Sequence, residues 1–422
     1  MPRIFASLLL CVLLTATVHA AEPRAVAGRV ADAIEREYFD PARGREIADG
    51  LRGSAARGEF DALVHPQELA SALTEVLKPR DRHFNVRWQD GADAGPRPGP
   101  RPDAARVNFG IRQVQLLPGN VGYLDLRMFA DFEFGEPDAP ARRAIEAALQ
   151  LLAHADALLI DLRDNGGGSP AMVGYLASAF VAPGSDIYNT FHSRAGTASE
   201  APAEPFAAPR TALPLYVLVS GRTGSAAEAF AYTLQNARRA TVVGEATAGA
   251  ANPGRPYPVG DGYSVFVSNG TPVSPLTGGN WEGVGVQPDV VVDSARALDV
   301  ATRQALETLL ATGAGDDVRW SLEALAAPAD VVHTDVLSAF VGHYGAVQVE
   351  RVDSALQLRQ GRRPPLRLRP LSDTVFFVDG EPTRRVRFER DGDTVRALEL
   401  LWANGQVARH VRVATDAAPS RD

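Results

Sequence analysis

A serine that opens a helix directly after a buried strand is placed for nucleophilic chemistry. The segment Tyr216-Val217-Leu218-Val219-Ser220-Gly221-Arg222-Thr223-Gly224-Ser225-Ala226-Ala227-Glu228 has that form. Its apolar start reads as the strand and its Gly-containing middle as a turn. Ser225 then begins a helix with Ala226, Ala229, Phe230 and Leu234 on one face. The positive end of that helix favours an alkoxide developing on Ser225 Oγ. The Ala226 N–H has no intrahelical partner in the first turn and can donate to an oxyanion. The same residues also spell a capping box, with Ser225 at the N-cap and Glu228 at the third helical position. On these residues alone, both a nucleophile and a plain helix cap stand.

A second segment can serve the same chemistry. In Leu159-Ile160-Asp161-Leu162-Arg163-Asp164-Asn165-Gly166-Gly167-Gly168-Ser169, three glycines follow a buried strand and precede a helix start at Pro170. Such a loop lets the backbone approach a ligand closely and turns N–H groups towards it. Gly166 or Gly167 can therefore join Ala226 in an oxyanion hole. A plain turn has the same composition.

The elements that must position these residues alternate. Residues 121–126, 157–162 and 215–219 read as strands, and residues 139–153, 170–180 and 225–237 as helices. Buried strands alternating with helices predict an α/β core, here over 106–315. Before it, residues 21–90 read as a helical domain, with Val26, Val30 and Ile34, then Leu69, Leu73 and Leu77, at helical spacing. That domain ends on a short strand, Phe84, Val86 and Trp88, with His83, Asn85 and Arg87 on its other face. Residues 91–105 are rich in Pro, Gly, Asp and Arg and read as a linker. Residues 330–415 carry short alternating strands with turns at Asp379-Gly380, Asp391-Gly392 and Asn404-Gly405, which predicts a small antiparallel β domain.

Composition narrows the chemistry. Met1-Pro2-Arg3, an apolar run to Val18 and the small residue Ala20 predict a signal peptide over 1–20, hence a periplasmic or secreted protein with no stable membrane insertion after cleavage. The single cysteine, Cys11, lies in that leader. The mature chain then has no thiol nucleophile, disulfide or thiolate metal site. The net charge of −8 gives a nucleic-acid partner no electrostatic support. Lys78 is the only lysine in a chain with 43 Lys and Arg together. Arginine does not lose its proton near neutral pH, so nearly every amine base is removed. No His, Asp and Glu cluster has metal-ligand spacing, so no metal and no cofactor is expected.

Several motifs together resemble the S41 peptidases, the family of tail-specific and tricorn proteases and of the repeats of interphotoreceptor retinoid-binding protein. They are Asp161-Leu162-Arg163-Asp164-Asn165-Gly166-Gly167-Gly168, Thr223-Gly224-Ser225-Ala226-Ala227-Glu228, Val243-Gly244-Glu245-Ala246-Thr247-Ala248-Gly249 and Trp281-Glu282-Gly283-Val284-Gly285-Val286-Gln287-Pro288-Asp289. Asn108-Phe109-Gly110-Ile111 and Leu117-Pro118-Gly119-Asn120-Val121-Gly122-Tyr123 precede them in the family's order. The likeness covers roughly residues 25–310 and is strongest to the retinoid-binding-protein branch. It implies a crotonase-like α/β core with a helical N-terminal domain. The chain departs from the Ser/Lys members of the family at position 250. Their base is a lysine just after the Gly-Glu-x-Thr-x-Gly stretch, and this chain has Ala250.

A histidine must then act as base. Asp81-Arg82-His83 resembles the Asp-x-His stretch of the tricorn and retinoid-binding-protein branch, which favours His83 over His65, His154 and His192. By the same resemblance Glu282 is the third group that orients the imidazole. The expectation is a serine peptidase that hydrolyses peptide bonds of peptides or unfolded protein tails. Ser225 forms the acyl-enzyme, His83 is the general base, and Ala226 with Gly166 or Gly167 binds the oxyanion. A hydrophobic-ligand carrier on the same fold, with Ser225 as a cap, and an esterase are the alternatives. No oligomeric state follows from these residues.

Overall fold

The structure, a computed structural model, describes residues 22–90, 103–132, 136, 138–327 and 337–413. The leader expected over 1–20 and most of the linker expected over 91–105 lie outside the described residues. Contacts divide the chain into two units. One holds residues up to 100 together with 192–197 and 252–271, and the other holds the remainder.

In the first unit, helices Pro23–Glu37, Pro41–Ala56 and Pro66–Leu77 each begin on a proline. Proline suits that position because its missing N–H would have had no partner there. The Asp40 side chain caps the second helix by accepting the Ala42 and Arg43 N–H groups. Val26, Val30, Ile34, Leu69, Leu73 and Leu77 turn inward, as their spacing predicts. What they cover includes more than helix. Strand Asn85–Trp88 pairs with Tyr263–Ser268, which pairs in turn with Gly254–Gly260. Residues 252–271, assigned by sequence to the α/β core, thus return to complete the N-terminal unit. Val86 lies opposite Val265, and both are buried in one apolar cluster with the three helices.

The second unit is built on a six-stranded sheet in the order Val290–Val291, Thr241–Gly244, Leu215–Val219, Ala157–Asp161, Val121–Leu126, Ile111–Leu117. All pairs are parallel except the last, which is antiparallel. The central strands Leu215–Val219, Ala157–Asp161 and Val121–Leu126 are buried at every position because both faces are covered. Leu158, Ile160, Val217 and Val219 pack under helices Pro140–Leu151, Pro170–Ser178 and Ala226–Asn236. Ala157, Leu159, Tyr216 and Leu218 pack under helix Ala297–Ala311, with Val318 of Asp316–Ala326. This is a mixed α/β layer arrangement.

The same unit ends in eight antiparallel strands between Gly342 and Val411, each paired with its neighbour in sequence. The first and last strands also meet. Tyr344 bridges Arg412, and the Val413 N–H donates to the His343 carbonyl at 2.8 Å. Phe340, Tyr344, Phe376 and Phe388 fill the interior. The predicted turns are present, with Gly380, Gly392 and Gly405 at positive φ.

Candidate active site

The strand Leu215–Val219 delivers the chain to the turn 220–224, and two side chains in that turn fasten it to the neighbouring parallel strand. Ser220 Oγ donates to the Arg163 carbonyl at 2.5 Å, and Thr223 Oγ1 donates to the Leu162 carbonyl at 2.8 Å. The Gly224 N–H donates to the Asn165 carbonyl at 3.0 Å. The turn that ends in Ser225 and the glycine loop are therefore one hydrogen-bonded body.

Asn165 organises the glycine loop. It is fully buried, its Nδ2 donates to the Leu126 carbonyl, and its Oδ1 accepts the Gly167 N–H at 2.9 Å. Gly167 and Gly168 have φ of 115° and 144°, where side chains are strained. A Cβ on Gly168 would meet the Phe129 carbonyl oxygen at 2.0 Å. A Cβ on Gly167 would meet the Ser225 Cβ at 2.8 Å and the Ala226 nitrogen at 3.0 Å. The loop thus lies directly against the serine, as an oxyanion hole requires.

The geometry separates the glycine donors. The Gly167 N–H is committed to Asn165 Oδ1. Among the described residues, neither the Gly166 nor the Ala226 N–H has an acceptor. Two donors therefore remain on the two sides of one close contact.

Ser225 is exposed between buried Gly224 and buried Ala226. Its backbone sits at φ 52°, ψ −121°. An N-cap residue ordinarily takes extended backbone, and a non-glycine residue in this region pays about 1–3 kcal/mol. A strained strand-to-helix turn that exposes a serine is also the form of the nucleophile elbow in α/β-hydrolases. Glu228, fully buried, accepts the Ser225 N–H at 2.8 Å.

Charges below the loop hold it rather than react. Burial opposes ionisation of Asp161, but hydrogen bonds from Arg163 and Tyr123 hold its carboxyl below the usual carboxylate range. Arg163 also donates to the Ser294 carbonyl at 2.6 Å. Asp164 pairs with Arg127 and Arg222.

His83 and Glu282 fall in different units. Glu282 belongs with Ser225, and its carboxylate accepts the Ala251 N–H at 2.9 Å. His83 belongs to the first unit. Its Nδ1 lies 2.9 Å from Asp81 Oδ1, which also accepts the His83 N–H at 2.8 Å. Ser268 Oγ donates to Asp81 Oδ2 at 2.8 Å. Burial raises the Asp81 carboxyl, but the bonds from His83 and Ser268 outweigh it and hold the carboxyl low. An ionised carboxylate only accepts, so the His83 Nδ1 that faces Asp81 is the donor of that bond. In the sequence, Asp81 stands out only as part of the Asp-x-His stretch. The partner Ser268, 185 positions after His83, had no local signal at all.

The chain matches the sequence pattern described as Peptidase family S41 over residues 120–292. This stretch is a peptidase family S41 domain. It contains Gly166, Gly167, Ser225, Ala226 and Glu282, whereas His83 lies before it. The S41 domain is similar to the carboxyl-terminal-processing protease of Synechocystis sp., 34% identical over 179 residues, covering 42% of this chain and 39% of that protein. It is also similar to the chloroplastic carboxyl-terminal-processing peptidase 1 of Arabidopsis thaliana, 31% identical over 191 residues, covering 43% and 36%. The matches thus span about two fifths of the length of these relatives. Among solved structures, the photosystem II D1 C-terminal processing protease aligns at 17% identity with a TM-score of 0.42, over 64% of this chain and 93% of that one.

Proposed function

We propose that this chain is a serine peptidase, acting outside the cytoplasm on peptides or unfolded protein tails, with Ser225 as nucleophile. The observation that carries this reading is the strained, exposed Ser225 against the Gly166-Gly167 backbone, with the Gly166 and Ala226 N–H groups unspent. The names of the similar proteases favour a polypeptide substrate. The buried parallel sheet, with its working loops after adjacent strands, agrees with a crotonase-like core.

In the proposed cycle, Ser225 Oγ attacks the scissile carbonyl carbon and gives its proton to His83 Nε2. The carbonyl oxygen becomes an oxyanion that accepts from Ala226 and Gly166. His83 then passes the proton to the leaving amine, and the C–N bond breaks. A water adds to the acyl-enzyme, giving its proton to His83, which returns one to Ser225 as the acid departs. Asp81 keeps the proton on Nδ1 throughout, and Glu282 is a second carboxylate proposed to steady the imidazolium. A helix cap or a carrier protein has no use for a strained serine beside free amide donors.

The test is reaction with a fluorophosphonate followed by peptide mapping. A label on Ser225 is expected. A folded, unlabelled protein would falsify the reading.

A further inference from the structure

The buried carboxylate of Glu228 does more than close a helix turn. A capping-box glutamate returns one bond to its own N-cap. Glu228 takes four. Oε2 accepts the Ser225 N–H at 2.8 Å and the Ala250 N–H at 2.9 Å. Oε1 accepts Thr247 Oγ1 at 2.5 Å and the Gly249 N–H at 2.6 Å. Its side chain makes no ion pair with any arginine among the described residues, so these donors and the positive end of its helix balance the carboxylate.

Those four bonds join segments that are distant in sequence. Thr247 Oγ1 accepts the Val286 N–H at 2.7 Å, and the Thr247 N–H donates back to the Val286 carbonyl. The Ala248 N–H donates to the Thr223 carbonyl at 3.0 Å. Glu228 therefore stands where the serine turn, the 247–250 loop and the segment around Val286 meet. Ser225 is also the one residue of the turn 220–225 with positive φ. A strained conformation persists only where its surroundings over-determine it, and the Glu228 bond to the Ser225 N–H is the restraint nearest to that strain.

We infer that Glu228 is a positioning residue that holds Ser225 in its reactive backbone conformation by tying its N–H to the 247–250 loop. The inference rests on Ser225 being the nucleophile. Glutamine at this position keeps the size but turns an N–H2 group towards two of the four donors. Thr247 controls the orientation of the carboxylate from the far side, through Oε1.

The experiment measures kcat, KM and the fluorophosphonate labelling rate for Glu228→Gln, Thr247→Val and Thr247→Ser, with thermal unfolding on the same samples. Glu228→Gln is expected to lower kcat and the labelling rate together by ~100-fold, with KM within about twofold. Thr247→Val should lower both by ~10-fold, and Thr247→Ser, which keeps the hydroxyl, should stay within about threefold of wild type. A folded Glu228→Gln protein with wild-type kcat and labelling rate overturns the inference, as does a change confined to KM. If Glu228→Gln does not fold, the threonine pair decides. Equal rates in Thr247→Val and wild type overturn the inference, and loss in Thr247→Val with retention in Thr247→Ser sustains it. Absence of labelling in the wild-type protein fails the nucleophile reading instead, and so is distinguishable.

Discussion

Ser225 has a backbone that no L-residue prefers and that glycine adopts freely. That contrast predicts opposite effects on rate and stability. Ser225→Gly is expected to be inactive yet more stable by about 1 kcal/mol, because the strain is relieved. Ser225→Ala is expected to be inactive with little change in melting temperature, since alanine inherits the strain. Peptidase assays and thermal unfolding on the same samples check both. An active Ser225→Gly protein would end the nucleophile assignment. His83→Ala should lose turnover to the same degree as Ser225→Ala, and the double variant should lose little more, because residues acting as a unit are strongly non-additive. Additive losses in that cycle would separate the two side chains functionally.

The helices Pro170–Ser178 and Ala226–Asn236 begin at the glycine loop and at Ser225, and one buried carboxyl lies between them. Glu200 is 3% exposed. A Cβ on Gly174 of the first helix would meet the Glu200 carbonyl oxygen at 1.9 Å. Asn189 Nδ2 donates to Glu200 Oε2 at 2.8 Å and to Thr233 Oγ1 of the second helix at 3.1 Å. Glu200 Oε1 has no hydrogen-bond partner among the described residues. Burial pushes the Glu200 carboxyl up to about 7, against the pull of Asn189. Tyr188, the neighbouring titratable group, is raised by its own burial and by the Glu200 charge. The folded state thus holds a proton that the unfolded state releases near pH 4.5. Stability from this group is greatest below pH 4.5, falls as pH rises to 7, and is level above. The full swing is on the order of 3 kcal/mol. Glu200→Gln should remove that slope. Its melting temperature should exceed wild type at pH 8 and converge with it near pH 4.5. Parallel pH profiles of the two proteins would show that Glu200 does not titrate in the fold.

Across the whole molecule, the C-terminal strands have their own apolar interior and meet end to end. Polar ties join them to the preceding helix. The Arg385 guanidinium lies 4.2 Å from the centre of the Trp320 ring and pairs with Glu323 at 2.5 Å. A partly exposed ion pair contributes roughly 0–1 kcal/mol, and a cation over an aromatic face a similar amount. A shortened chain of residues 22–327 is therefore expected to unfold cooperatively with a melting temperature only a few degrees lower, and with altered Trp320 fluorescence. Non-cooperative unfolding of that chain would show that the strands are integral to the second unit.

Local pattern in the amino-acid sequence was enough to place the buried strands 157–162 and 215–219, the helix after Ser225, the glycine loop and the three Gly turns near the C-terminus. Each depends on burial period and φ preference, which a few adjacent residues encode. Tertiary structure alone decided the rest. The letters Ser-Ala-Ala-Glu fit both a cap and a nucleophile, and nothing in them announces the φ of 52° at Ser225. Gly166 and Gly167 are equivalent donors in the sequence, and only the fold commits the Gly167 N–H to Asn165. The same limit applies to the pairing of Val86 with Val265 and to the Ser268 bond on Asp81. These contacts form between segments far apart in the chain. Their free energy comes from apolar surface and polar groups that meet only after folding, so no neighbouring residues announce them.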